Sequence, residues 1–148
     1  MLTLLAGLWP GVYAQSLSEI TGSANPLENN RFLPVEDAFR FHTSLHSRET
    51  LLISWQIADG YYLYQDKFHF SVPQNSTENW QLAHKLPAAV PHTDEFFGDV
   101  NVYYTEVTAE IDISAFQQSS MTLDVQFQGC SEDGLCYPLQ TRRIQLDL

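Results

Sequence analysis

The sequence predicts an all-β fold, a β-sandwich, from three observations. Short runs rich in β-branched and aromatic residues recur along the chain, about seven to nine of them. Turn signals built from Gly, Pro, Asn and Asp fall between them at intervals of roughly eight to twelve residues. No segment carries the three-to-four-residue apolar period of an amphipathic helix, and there is no internal repeat. A chain of 148 residues with 44% hydrophobic composition can bury a core as one domain.

Charge excludes two classes of partner. The formal net charge is −11 with only seven Lys plus Arg, so the basic patch needed for nucleic acid or for anionic lipid is missing. The acidic residues are spread along the chain and read as a soluble, self-repelling surface.

The first fourteen residues differ in kind. Leu2-Thr3-Leu4-Leu5-Ala6-Gly7-Leu8-Trp9 is apolar and Val12-Tyr13-Ala14 ends on a small residue, the pattern of a secretory signal over 1–14. The Lys or Arg that normally precedes such a run is missing, which leaves a truncated start or another kind of segment as the alternatives. Residues 15–30, rich in Ser, Asn and Gly with Pro26, read as a flexible leader. An exported chain would carry its cysteines into an oxidising compartment.

Order is expected from residue 31. Val35 to Phe39 suits a helical turn, and Phe39, Phe41 and Thr43 then alternate with Arg40 and His42 as in a half-buried strand. His42 and His46 have no carboxylate or thiol partner in view and read as surface residues. Thr50 to Ile57 is a strong strand stopped by Asp59-Gly60, a pair that predicts a hairpin into Tyr61-Tyr62-Leu63-Tyr64. Tyr62 and Tyr64 share a face by the period of two; they either pack at the rim of the core or line a site. Lys67 to Val72 reads as the next strand, ending at Pro73. Residues 80–93, with Pro87 and Pro91, are expected to be irregular with one short strand. In Asp94-Glu95-Phe96-Phe97-Gly98 two aromatics stand on a turn, which is costly unless they cover something. Val100 to Tyr103, Val107 to Ile113, Met121 to Phe127 and Arg142 to Leu148 supply the remaining strands. The last alternates to the final residue, as expected of a domain cut from a longer protein.

Both cysteines lie in Gln128-Gly129-Cys130-Ser131-Glu132-Asp133-Gly134-Leu135-Cys136-Tyr137-Pro138. A loop this small gains roughly 2.4 kcal/mol from a disulfide, against about 4 for a bridge spanning some sixty residues. It is a poor staple and cannot be the inter-sheet bridge of antibody domains. Spacing alone leaves open whether the pair is structural or reactive. It is neither the Cys-x2-Cys of a thioredoxin site nor a metal knuckle, and zinc would need two further ligands where no His or other Cys sits close by in sequence.

Four motifs together resemble one family. They are Phe32-x-Pro34 with Ala38-Phe39, Trp55-Gln56-Ile57-x-Asp59-Gly60-Tyr61-Tyr62-Leu63-Tyr64, Asp94 to Gly98, and Gln128-Gly129-Cys130 to Cys136-Tyr137-Pro138. In that order and at about that spacing they are similar to the N-terminal periplasmic domains of DsbD-type thiol:disulfide interchange proteins, over residues 31–148. The resemblance implies an immunoglobulin-like sandwich with a redox-active pair and no other cofactor or metal. It implies a periplasmic location, attached in the full-length family to the inner membrane. Electrons would come from a membrane reductant conductor through a thioredoxin-like donor domain. They would pass to oxidised thioredoxin-like proteins of the disulfide-isomerase and cytochrome c maturation types, making the domain a protein-disulfide reductase. By position, Cys136 would form the mixed disulfide and Cys130 resolve it. Asp94, Glu95, Phe96, Phe97 and Gly98 would form a cap loop with Phe96 at its tip, and Tyr62 and Tyr64 would line the pocket.

Leu139 and Phe97 stand where the family often has proline and tyrosine. Neither a membrane conductor nor a Cys-x2-Cys domain occurs in these residues, so the chain is a fragment or a relative served by a separate donor. The alternative reading is an exported immunoglobulin-like binding module with a structural disulfide.

Overall fold

The computed structural model describes residues 31–75 and 77–148. The expected signal and leader, 1–14 and 15–30, lie outside the described residues. One helical turn, α1 (Val35–Ala38), opens the fold. The strands are β1 (Phe39–Leu45), β2 (Thr50–Ile57), β3 (Tyr61–Tyr64), β4 (His69–Pro73), β5 (Asn79–Gln81) and β6 (His84–Lys85). They continue with β7 (Val90–Asp94), β8 (Gly98–Tyr103), β9 (Glu106–Asp112), β10 (Ser120–Phe127), β11 (Gly129–Ser131) and β12 (Gln140–Asp147).

These strands form three four-stranded antiparallel sheets of an immunoglobulin-like sandwich, in the orders β1-β2-β9-β6, β12-β10-β4-β5 and β11-β3-β8-β7. The first two supply most of the main core. Trp55 lies fully buried at its centre, with ring centroids of Phe41, Phe68, Phe70 and Phe127 between 4.9 and 6.2 Å away. β9 shows the clean alternation its sequence predicts, with Val107, Ala109 and Ile111 inward and charged or hydroxyl side chains outward. Across β10 and β12 the buried Asp124 carboxylate accepts two hydrogen bonds of 2.7 Å from the Arg143 guanidinium.

Two expectations need correction. Asp59-Gly60 does make a turn, with Gly60 at φ +78° and the Tyr61 amide donating to the Ala58 carbonyl. It makes no hairpin, because β2 is already paired on both edges, to β1 and to β9. The chain therefore crosses to another sheet, where β3 lies between β11 and β8. Among the described residues the strands also number twelve rather than seven to nine. β5, β6 and β11 are two or three residues long, too short to show a period, and β7 runs through Pro91 at a sheet edge, where proline's missing donor costs nothing.

β3 positions the site because it is buried on both faces. Tyr61 and Leu63 join the main core. Tyr62 and Tyr64 point the other way, into a second cluster with Val102 and Cys130.

Candidate functional site: a capped cysteine pair

The second cluster exists because β11 lies directly on β3, with Cys130 opposite Tyr62 and Gly129 opposite Leu63. Only glycine allows that approach. A Cβ at 129 would strike the Tyr62 carbonyl oxygen, the Phe39 ring and the Leu63 side chain. From there the chain turns through Gly134, at φ +91°, and returns so that Cys136 pairs with Cys130 and is disulfide-bonded to it, with Cα atoms 4.1 Å apart.

Backbone hydrogen bonds run inside and around this ring. The Ser131 amide donates to the Leu135 carbonyl at 2.7 Å, and the Tyr137 amide to the Gly129 carbonyl at 3.1 Å. The Gln128 side-chain amide holds the Tyr137 carbonyl at 3.0 Å. Both amide and carbonyl of Leu33 are pinned by tyrosine hydroxyls, those of Tyr61 and Tyr137. The two sulfurs differ in access: Cys130 is fully buried and Cys136 half-buried.

Over the pair stands the β7–β8 hairpin, with Asp94 opposite Gly98 and a turn through 95–97. One carboxylate ties this cap to the floor. Asp94 Oδ1 accepts the Phe96 and Phe97 amides at 3.0 and 2.6 Å, while Oδ2 accepts the hydroxyls of Tyr62, at 3.3 Å, and Tyr64. The Tyr64 oxygen also lies 2.9 Å from Cys130 Sγ and 3.5 Å from Cys136 Sγ. Burial alone would raise the Asp94 pKa, but the hydrogen bonds from Tyr64, from the Phe97 and Phe96 amides and from Tyr62 outweigh it and hold the carboxyl below its usual range. Burial and then the Asp94 contact push the Tyr64 phenol far up. Tyr62 is pushed up to about 12, chiefly by burial. At neutral pH the centre thus holds one fixed negative charge and two neutral hydroxyls beside the sulfurs.

The structure brings together Cys130, Cys136, Tyr62, Tyr64, Asp94 and Phe97. The Phe97 ring packs edge-on against Tyr64 at 5.1 Å and carries the Lys67 ammonium over its face at 4.8 Å. Phe96 and Phe97 are equally exposed, at 46% each, but among the described residues the aromatic contact with the floor is made by Phe97. Glu95 reaches from the cap toward Gly134 of the ring, its Oε1 only 3.3 Å from where a Cβ would sit. Gly98, at φ +73°, lets the turn close.

Three residues escaped the sequence reading. His92 lies against Tyr62, ring centroids 4.7 Å apart, and its Nδ1 is 3.2 Å from the Tyr104 hydroxyl. Its signal was available, since it precedes Asp94 by two and so shares its strand face. Lys67 and Tyr104 stand outside the strands that carry the motifs, and nothing local marks them.

The family model described as the N-terminal part of the thiol:disulfide interchange protein DsbD matches residues 29–148. DsbD of Vibrio cholerae is 38% identical over 138 residues, 91% of this chain and 22% of that protein. DsbD 1 of Pseudomonas aeruginosa is 39% identical over 121 residues, 82% of this chain and 20% of that protein. The chain thus spans about a fifth of the length of these relatives. Among solved structures, the Neisseria meningitidis DsbD N-terminal domain in the reduced form superposes with a TM-score of 0.71 at 28% identity, covering 80% of this chain and 91% of that one. The same domain in complex with the PilB N-terminal domain gives 0.63 at 28%, covering 78% and 88%.

Proposed function

Because the chain belongs to the family of DsbD N-terminal domains, we propose that it is a periplasmic protein-disulfide reductase domain working through Cys130 and Cys136. The observation that carries this reading is the unequal access of the two sulfurs beneath a cap. A thiolate must approach one sulfur of a disulfide in line with the bond, and only Cys136 keeps exposed surface for it. In the productive direction the reduced Cys136 thiolate attacks a partner disulfide and releases one partner thiol. Cys130 then attacks Cys136, releases the second, and closes the ring. Two electrons and two protons leave the domain, and the partner disulfide becomes two thiols.

The charge beside the pair fits a guarded reductant. A carboxylate near a thiol disfavours its ionisation, so Asp94, with Glu95 above the ring, would keep the reduced pair protonated and slow to react with stray oxidants. The cap adds exclusion, and a docking protein would have to move it. No cofactor beyond the pair is needed for this exchange. The partners proposed are oxidised thioredoxin-like proteins of the disulfide-isomerase and cytochrome c maturation types. The proposed donor is a thioredoxin-like domain fed by a membrane conductor. The complex of the related Neisseria domain with the PilB N-terminal domain supports a protein partner for this domain.

The reduction potential of the pair tests the proposal, measured in graded thiol buffers with alkylation of free thiols. A carrier should fall at about −180 to −270 mV, whereas a structural disulfide lies below about −300 mV. A value in the lower range, with no exchange with any thioredoxin-like protein, would leave a stapled sandwich acting as a binding module.

A further inference from the structure

We propose that His92 and Tyr104 are positioning residues that latch the stem of the cap hairpin to the body of the sandwich. The proposal deepens the exchange reading and rests on it for its purpose. The cap is a cantilever. Among the described residues, β7 is an edge strand whose sole strand partner is β8, and β8 itself is paired to β3 only at Tyr103 and Val102. Between those pairs and the tip, backbone pairing does not fasten the hairpin to the floor, and side chains must.

At the tip that work falls to Asp94. At the stem it falls to His92, on the same strand face. The His92 ring lies against Tyr62 and shares a hydrogen bond of 3.2 Å with the Tyr104 hydroxyl, and the Tyr104 ring completes the cluster at 5.9 Å from Tyr62. Tyr104 is fixed to the other side of the joint. It precedes Thr105, held at φ +63°, whose carbonyl accepts the Ile57 amide of β2 at 2.8 Å, and its own carbonyl accepts the Glu106 amide of β9 at 2.6 Å. A left-handed threonine is unfavourable unless its surroundings impose it, so the position of Tyr104 is set by the main sheet. The His92–Tyr104 bond therefore runs from the part that must move to the part that cannot. Burial, together with the Glu132 carboxylate, pushes the Tyr104 phenol up, which keeps its proton available to the imidazole.

The oxidised protein is challenged with the phosphine TCEP, a reductant small enough to need no docking, and disulfide loss is timed. Tyr104→Phe, which removes one oxygen and no ring, should react about fivefold faster than wild type, as expected for one lost hydrogen bond. His92→Ala should be at least as fast, and the double variant no faster than His92→Ala alone. His92→Gln, which retains a hydrogen-bonding group, should stay slow when Tyr104 is intact and become fast in the Tyr104→Phe background. Tyr104→Phe or His92→Ala within twofold of wild type, additive effects in their double, or accelerations matched by equal losses of unfolding stability would overturn the latch. If His92→Ala fails to fold, Tyr104→Phe and the glutamine pair carry the test. Exchange of the wild type with a thioredoxin-like protein is scored separately; its absence removes the exchange reading and leaves the phosphine result standing.

Discussion

Cys136 keeps part of its surface while Cys130 keeps none, and on the proposed reading Cys136 would react first and Cys130 would resolve. Cys136→Ser should abolish a trapped mixed disulfide with a thioredoxin-like protein and Cys130→Ser should prolong it, read on non-reducing gels; the reverse pattern would exchange the roles. Above the sulfurs, the ring on Tyr64 is that of Phe97. Phe97→Ala is expected to speed reaction with small disulfides or phosphines about two- to tenfold, the value of one aromatic pair. Phe96→Ala should speed it less, because Phe96, although no more exposed than Phe97, makes no ring contact with Tyr64 among the described residues; stopped-flow rates that rank the two oppositely would return the shielding role to the tip. The cysteines, the tyrosine pair and Asp94 were legible because each sits in a contiguous motif. Lys67 and Tyr104 were not, since their importance comes from what the fold lays beside them.

At the scale of elements, the long strands could be read and the switch between sheets could not. Asp59-Gly60 has the chemistry of a tight turn, but whether the strands it joins pair depends on whether the first has a free edge, and β2 has none. The three-residue β11 carried no periodicity, although its Gly129 is the tightest fit in the site. Gly129→Ala should push β11 off β3 and cost about 1–3 kcal/mol, as overpacking does, measured by urea unfolding of the oxidised protein; a neutral result would mean that β11 can shift freely. Lys67 belongs to the short 3-10 turn that follows β3 and holds Phe97 from outside. Lys67→Gln should loosen the cap by one cation–aromatic contact, about two- to fivefold in the rate with a small reductant. An unchanged rate would show that Tyr64 alone seats the ring.

For the whole molecule, the buried phenols and paired carboxylates bound the pH range of stability from both sides. Tyr62, Tyr64, Tyr103, Tyr104 and Tyr137 are all raised, first by burial, Tyr62 to about 12. A group raised above its unfolded value of about 10 contributes stability that is intact below that pH and is lost as pH climbs through the folded value. Asp94, for the reasons given, and Asp124, through its hydrogen bonds from Arg143 against a smaller cost of burial, are held low. Their contribution is present above about pH 4 and disappears as pH falls through the folded values. The urea midpoint should therefore be flat near neutrality and fall on both sides, with Asp94→Asn removing part of the acid limb; an unchanged acid limb in that variant would place the acid sensitivity elsewhere. The backbone ladder around the cysteines has a kinetic meaning as well. Because Ser131, Leu135, Gly129 and Tyr137 are held by hydrogen bonds that do not depend on the sulfur bond, reduction would leave the thiols facing each other. The resolving thiol would then act at a high effective molarity, as in other well-oriented intramolecular reactions, and any protein caught on Cys136 would be released before it could exchange with a third.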